Sequence, residues 1–188
     1  MNVYDFDDTI YDGESVFDFY LFCLRKKPGM IRYIPSMVRA LIRYKRCKIT
    51  TAELISGGEK YIKLFFESFP APKALICEFW DKNMKKIKKM YLDMQKEDDV
   101  VISASWDELI GEACRRIGIK NVIASSIDHD GCSLKVLCYG ENKVKIFKEK
   151  FPGIKPENFY TDSKNDQPMI EFSENAYFVE GDDIKKIK

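Results

Sequence analysis

Asp5 and Asp7 stand two residues apart at the end of a short strand-like segment, Asn2-Val3-Tyr4. In an extended chain residues i and i+2 share a face, so both carboxylates reach one site. Three further segments carry groups that complement them: Ser103-Ala-Ser105 after the apolar run Val100-Val-Ile102, Lys143 at the opening of a helical stretch, and Asp162-Ser-Lys-Asn-Asp166 after Asn158-Phe-Tyr-Thr161. Clustered carboxylates repel one another unless a hard cation neutralises them, and Asp5, Asp7 and Asp162 make an all-oxygen set suited to Mg²⁺. Beside such an ion one carboxylate stays ionised as a nucleophile while another serves as acid and base. Lys143 then balances an anion, and the Ser103 hydroxyl meets a phosphoryl oxygen.

These groups converge only if the strands carrying them lie side by side. From Val100 onward short apolar runs alternate with helical periodicity. Strands are expected at Val100–Ile102, Asn121–Ile127, Ser133–Cys138, Asn158–Thr161 and Ala176–Glu180, and helices at Trp106–Gly118, Glu141–Phe151 and Gln167–Asn175. Asp128-His-Asp-Gly131 supplies a hairpin turn. The alternation predicts an α/β fold, a Rossmann-like and mostly parallel sheet with helices on both faces, whose ligands gather beyond the carboxyl ends of the strands. Residues 15–95 have a different texture. Val16, Phe19, Tyr20 and Cys23, then Ile31, Ile34, Val38, Leu41 and Ile42, recur at helical spacing. Pro28-Gly29, Gly57-Gly58 and Pro70-Ala-Pro72 supply breaks, and Thr50-Thr51-Ala-Glu53 a helix start. An inserted α-helical bundle is therefore expected between the first and second chemical segments. Residues 14–96 would form this cap and residues 1–13 with 97–188 the catalytic core, hinged at Asp12-Gly13 and near Asp98-Asp99.

Composition narrows the field further. The 188 residues are 45% hydrophobic, and 31 basic against 30 acidic side chains leave a formal charge of +1. That supports one globular body and removes any bulk attraction to nucleic acid or membrane. Charge is uneven locally, however. Residues 1–24 carry six acidic side chains and no basic one, whereas Arg25, Lys26, Lys27, Arg32, Arg39, Arg43, Lys45, Arg46 and Lys48 form a block without an acid. Such a block forms the solvated face of amphipathic helices and can draw anionic substrates toward the crevice. Six cysteines without a C-x-x-C pair, and a single histidine, give neither zinc-ligand spacing nor a disulfide framework. No apolar run reaches membrane-spanning length, and Asp5, Asp7 and Asp8 stand where the apolar core of a leader would lie, so a soluble, reduced, cytoplasmic protein is expected. The one histidine, His129, falls in the hairpin turn, which leaves proton transfer to carboxylates.

In their order and spacing these segments resemble the haloacid-dehalogenase-like (HAD) hydrolase superfamily, specifically its phosphoserine-phosphatase-like branch. Asp5-Phe-Asp-Asp-Thr9 is similar to the first family motif, D-x-D-x-T, and Val101-Ile-Ser103 to the second. Gly140-Glu-Asn-Lys143 is similar to the third motif and Asp162-Ser-Lys-Asn-Asp166 to the fourth. The resemblance implies that Asp5 is the nucleophile, forming an aspartyl phosphate, and that Asp7 is the general acid and then base. It implies that Ser103 and Lys143 hold the phosphoryl oxygens, with Glu14, Ala104 and Asn165 also on the substrate. Mg²⁺ would be bound by Asp5, the main-chain carbonyl of Asp7, and Asp162, with Asp166 supporting that shell.

The implied partner is a small-molecule phosphate ester, a phosphoserine-like amine or a sugar phosphate, with no nucleic acid or membrane and with oligomeric state open. Two alternatives stand beside hydrolysis: a phosphotransferase using the same intermediate, and a non-catalytic binding module using the basic cap. The chain departs from phosphoserine phosphatases at the second motif, where Ser103-Ala-Ser-Trp106 replaces Ser-Gly-Gly and the bulky Trp106 remodels the pocket.

Overall fold

A computed structural model of the chain describes residues 1–45, 48 and 51–188. Its strands are β1 (Asn2–Tyr4), β2 (Val100–Trp106), β3 (Asn121–Asp128), β4 (Ser133–Val136), β5 (Asn158–Thr161), β6 (Asn175–Glu180) and β7 (Asp183–Lys186). They form one sheet in the order β4-β3-β2-β1-β5-β6-β7. β3, β2, β1, β5 and β6 are parallel, and the edge strands β4 and β7 run antiparallel to their neighbours. After β1 the chain winds outward through β2 and β3 and then returns to the other side of β1 as β5. The topological switch, where an open sheet leaves a crevice, therefore lies at β1.

The helices between β1 and β2 are α1 (Ser15–Lys26), α2 (Ile34–Lys45), α3 (Thr51–Ser68), α4 (Pro72–Asn83) and α5 (Lys89–Met94). α6 (Asp107–Arg116) joins β2 to β3, α7 (Glu141–Lys150) joins β4 to β5, and α8 (Gln167–Phe172) joins β5 to β6. Because side chains alternate along a strand, successive residues feed opposite layers. Val3, Val100, Ile102 and Phe159 pack with Phe147 of α7 and with Met169 and Ile170 of α8. Tyr4, Val101 and Tyr160 face the other way, toward α1, α4, α5 and α6. On that second face Tyr4 stacks on Tyr160 at 4.5 Å and Tyr160 on Tyr177 at 4.8 Å, an aromatic ladder across β1, β5 and β6 that fixes their register. Each such pair adds about 0.5–1.5 kcal/mol beyond its buried area.

The inserted helices share a core with the sheet. One cluster runs from Phe19 and Phe22 of α1 through Phe79 and Trp80 of α4 to Leu109 and Ile110 of α6. The Trp80 indole donates to the Leu109 carbonyl at 2.8 Å, and Arg116 donates to Cys77 O at 2.9 Å and to Asp81 at 2.8 Å. α2 lies at the outer end, against α3 and a 3₁₀ turn at Pro28–Tyr33. With so little to pack against, Ile31, Val38 and Ile42 stay exposed although their spacing predicts a buried stripe. Arg46, Cys47 and Thr50 lie outside the described residues. Among the described residues no helix is long and apolar enough to cross a membrane.

Most element ends shift by one or two residues from the sequence expectation, β4 for instance stopping at Val136 and α6 at Arg116, and three differences matter for the architecture. β2 continues through Trp106, so α6 starts one residue later. The helix expected to reach Asn175 stops at Phe172, where Ser173 folds its N–H and hydroxyl onto Met169 O and the Glu174 N–H is taken by Pro156 O. β7 is an additional strand. All four of its residues are exposed and Ile184 is its one apolar member, so no alternation marks it. What does mark it is Gly181 at φ 62°, a glycine turn between β6 and β7.

Candidate active site

Asp5 is the first residue past β1, its N–H donating to Tyr160 O of β5 at 2.9 Å. Ser103 lies in β2 beside it, and Asp162 is the first residue past β5. Lys143 comes from the first turn of α7, which Gly140 opens with φ 56° and ψ −128°, a conformation closed to side-chain-bearing residues. The Lys143 ammonium is 3% exposed and lies 3.0 Å from Asp5 Oδ1 and 2.8 Å from the Asp166 carboxylate. Asp166 also accepts from the Thr161 hydroxyl at 2.9 Å. The lysine is thus clamped between two carboxylates, with one edge of Asp5 turned to it.

Residues 5–14 fold back on themselves. Asp8 adopts φ 51°, donates its N–H to Gly13 O at 3.1 Å, and accepts the Gly13 N–H on Oδ1 at 2.9 Å. This closed loop aims Asp7 toward the helical insertion. Asp7 Oδ1 accepts the Ser15 N–H at 2.6 Å from the start of α1, and Oδ2 accepts the Ser105 hydroxyl from β2. Thr9 ties the loop to β5, its hydroxyl accepting the Asp162 N–H at 3.0 Å and reaching Asp162 Oδ1 at 3.4 Å.

Burial pushes the Asp5 carboxyl well above its ordinary value; Lys143 opposes the rise, and Asp166 and Asp162 add to it. Desolvation likewise raises Asp7, Asp162 and Glu14, each with neighbouring acids adding to the effect. The same surroundings raise Lys143: burial disfavours its charge, and the attraction of Asp5 and Asp166 outweighs that cost. Like-charged groups gathered at strand ends favour a bound cation, and the donors are hard oxygens of the type Mg²⁺ selects. Among the described residues no three Asp, Glu, His or Cys side chains form a metal cage by themselves. Asp5 and Asp162 are close enough to feel each other's charge, and both offer such oxygen donors.

A family model for haloacid dehalogenase-like hydrolases matches residues 3–171. The chain belongs to this family. Among solved structures, a protein of unknown function from Bordetella pertussis superposes with a TM-score of 0.77 at 18% identity, covering 94% of this chain and 87% of that one. A phosphoserine phosphohydrolase-like protein from Francisella tularensis gives 0.59 at 18% identity, over 94% and 86%. A phosphoserine phosphatase carrying a phospho-aspartyl intermediate analogue gives 0.50 at 17% identity, over 93% and 83%. At these identities the likeness is one of fold. No curated protein matches the chain.

The four HAD motif segments therefore meet at one end of the sheet, as their order predicts. Asp5, Lys143 and Asp166 touch directly, and Ser103 is buried beside them, accepting the Ser105 N–H at 3.0 Å. Asp166, expected to support a metal shell, has its carboxylate on Lys143 and Thr161. Glu14, Ala104 and Asn165 are exposed, and Glu14 is close enough to Asp7, Asp8 and Asp162 to feel their charge. His129 lies on the hairpin, 2.6 Å from Glu108 and against the ring of Phe66.

Two site residues had no role in the sequence analysis. Ser105 holds Asp7, and its place within the second HAD motif was the available signal. Lys88 is buried and donates to Asp8 O and, at 2.8 Å, to Gly181 O. It joins the loop that follows Asp5 to the β6–β7 turn, and nothing in the surrounding sequence marks it.

Proposed function

We propose that the chain is a Mg²⁺-dependent phosphomonoester hydrolase that acts through an aspartyl phosphate on Asp5. The observation that carries this reading is the buried Asp5–Lys143–Asp166 arrangement at the end of β1, with Asp7 held separately by Ser15 and Ser105. Asp5 attacks phosphorus while its ester bond to the alcohol breaks. Asp7, facing away from Lys143, gives its proton to the departing oxygen. Asp7 then takes a proton from water as that water attacks phosphorus, which releases inorganic phosphate and restores the Asp5 carboxylate. Lys143 and the Ser103 hydroxyl hold phosphoryl oxygens as charge builds on them. Asp5, Asp162 and the Asp7 carbonyl would hold Mg²⁺, which neutralises the phosphoryl oxygens.

Family membership and the shared fold support hydrolase chemistry, and the acid at position 7 supports phosphate as the group transferred. Glu14, Ala104 and Asn165 are the residues left to meet the substrate, and the inserted helices 14–96 act as its cover. The test is phosphate release from a simple monoester such as p-nitrophenyl phosphate with Mg²⁺. Turnover that stops on chelation and returns on adding Mg²⁺ supports the reading, and turnover indifferent to chelator overturns it.

A further inference from the structure

An apolar cavity of about 200 Å³ lies between α1, α3 and the carboxyl end of β2. Phe19, Tyr61, Phe65, Trp106, Leu109 and Ile127 form much of its wall, and no described lining residue is charged. Two of its tyrosine hydroxyls are already engaged, Tyr20 with Met30 O at 3.0 Å and Tyr61 with Ser36, so these residues present ring surface.

The cavity adjoins the acid of the proposed reaction. Asp7 is held by Ser15 on one oxygen and by Ser105 on the other. Each of these residues is followed in the chain by a cavity wall residue, Val16 and Trp106. Asp7, which protonates the leaving alcohol, is thus held by the chain neighbours of two cavity wall residues.

Resting on the phosphatase reading above, we infer that the substrate is a phosphate monoester of an apolar alcohol whose hydrocarbon part fills this cavity. A cavity of about 150 Å³ accommodates benzene, so this one takes roughly eight carbon atoms, as a chain or as a ring with a short tether. An amino-acid ammonium and carboxylate, or the hydroxyls of a sugar, would enter it without partners and lose their hydration. The apolar wall therefore selects against the substrates that the fold's phosphoserine-phosphatase relatives would suggest.

The experiment compares kcat/KM for octyl phosphate, O-phosphoserine and acetyl phosphate with Mg²⁺, in the natural protein and in Ile62→Trp, which fills the cavity, and Val16→Asp, which charges its exposed rim. Octyl phosphate is expected to exceed phosphoserine by about tenfold or more, with that ratio falling by about tenfold in each folded variant. Acetyl phosphate hydrolysis with phosphoserine equal to or better than octyl phosphate overturns this inference alone. An unchanged ratio in both variants does the same. Failure to hydrolyse any of the three overturns the phosphatase reading and the inference with it.

Discussion

The Lys143 ammonium lies 2.8 Å from the Asp166 carboxylate, and both side chains are 3% exposed. Asp5 also faces the ammonium, so Asp166→Asn leaves Lys143 with one carboxylate and disturbs the buried hydrogen bonds that Asp166 accepts from Lys143 and Thr161. It should destabilise the fold by about 1–3 kcal/mol. It should also slow turnover by about 10–100-fold through a misplaced Lys143. Urea unfolding and phosphate release check the two effects separately.

Ser105 reaches Asp7 across 98 residues of chain and engages its second oxygen. Ser105→Ala removes that contact without opening the core, because Ser105 is only half-buried. Turnover should fall about tenfold with the unfolding midpoint nearly unchanged, and Ser105→Thr, which keeps the hydroxyl, should recover most of the loss. An alanine variant as fast as the natural protein would detach Ser105 from the positioning of Asp7.

Lys88 supplies the donor for two carbonyls, Asp8 O and Gly181 O, in a buried setting. Lys88→Met keeps the aliphatic stem and strands both acceptors, at a cost of about 1–3 kcal/mol. Since Asp8 closes the loop that follows Asp5 and positions Asp7, turnover should fall together with stability. Thermal unfolding of the variant beside its phosphate release measures both.

Glu112 joins α6 to its own last turn through Arg115 and Arg116. Hydrogen bonds from Arg115, opposed by desolvation and aided by Arg116, hold its carboxyl at about 2, below the usual range. A lowered carboxyl stabilises the fold above its unfolded value near 4.3 and loses that contribution as pH falls toward 2. Glu112→Gln should thus cost about 1 kcal/mol at neutral pH, with the difference between the two proteins closing across that acid window. Unfolding free energies measured at pH 7 and pH 3 test the sign.

The parts of this molecule legible from sequence are those that repeat locally. Val100-Val-Ile102 and Asn158-Phe-Tyr-Thr161 announce buried parallel strands because both of their faces are covered, and the chemical groups follow immediately after. β7 escaped because an exposed edge strand needs no apolar alternation. Val38 and Ile42 show the opposite failure, a helical stripe without a layer to cover it. The roles of Ser105 and Lys88 were hidden for another reason: each acts on a partner far away in the chain, and polar pairing over such separations leaves no periodic trace. The position of Asp166 was visible; its partner was not.

The central claim is that Asp5 carries the phosphoryl group during turnover. Mixing the protein with an ester and Mg²⁺, quenching in acid within one turnover, and mapping the peptides by mass tests it directly. The account predicts one added phosphoryl group on the peptide containing Asp5, absent in Asp5→Asn. A phosphoryl group found elsewhere, or hydrolysis continuing in Asp5→Asn at the natural rate, would contradict it.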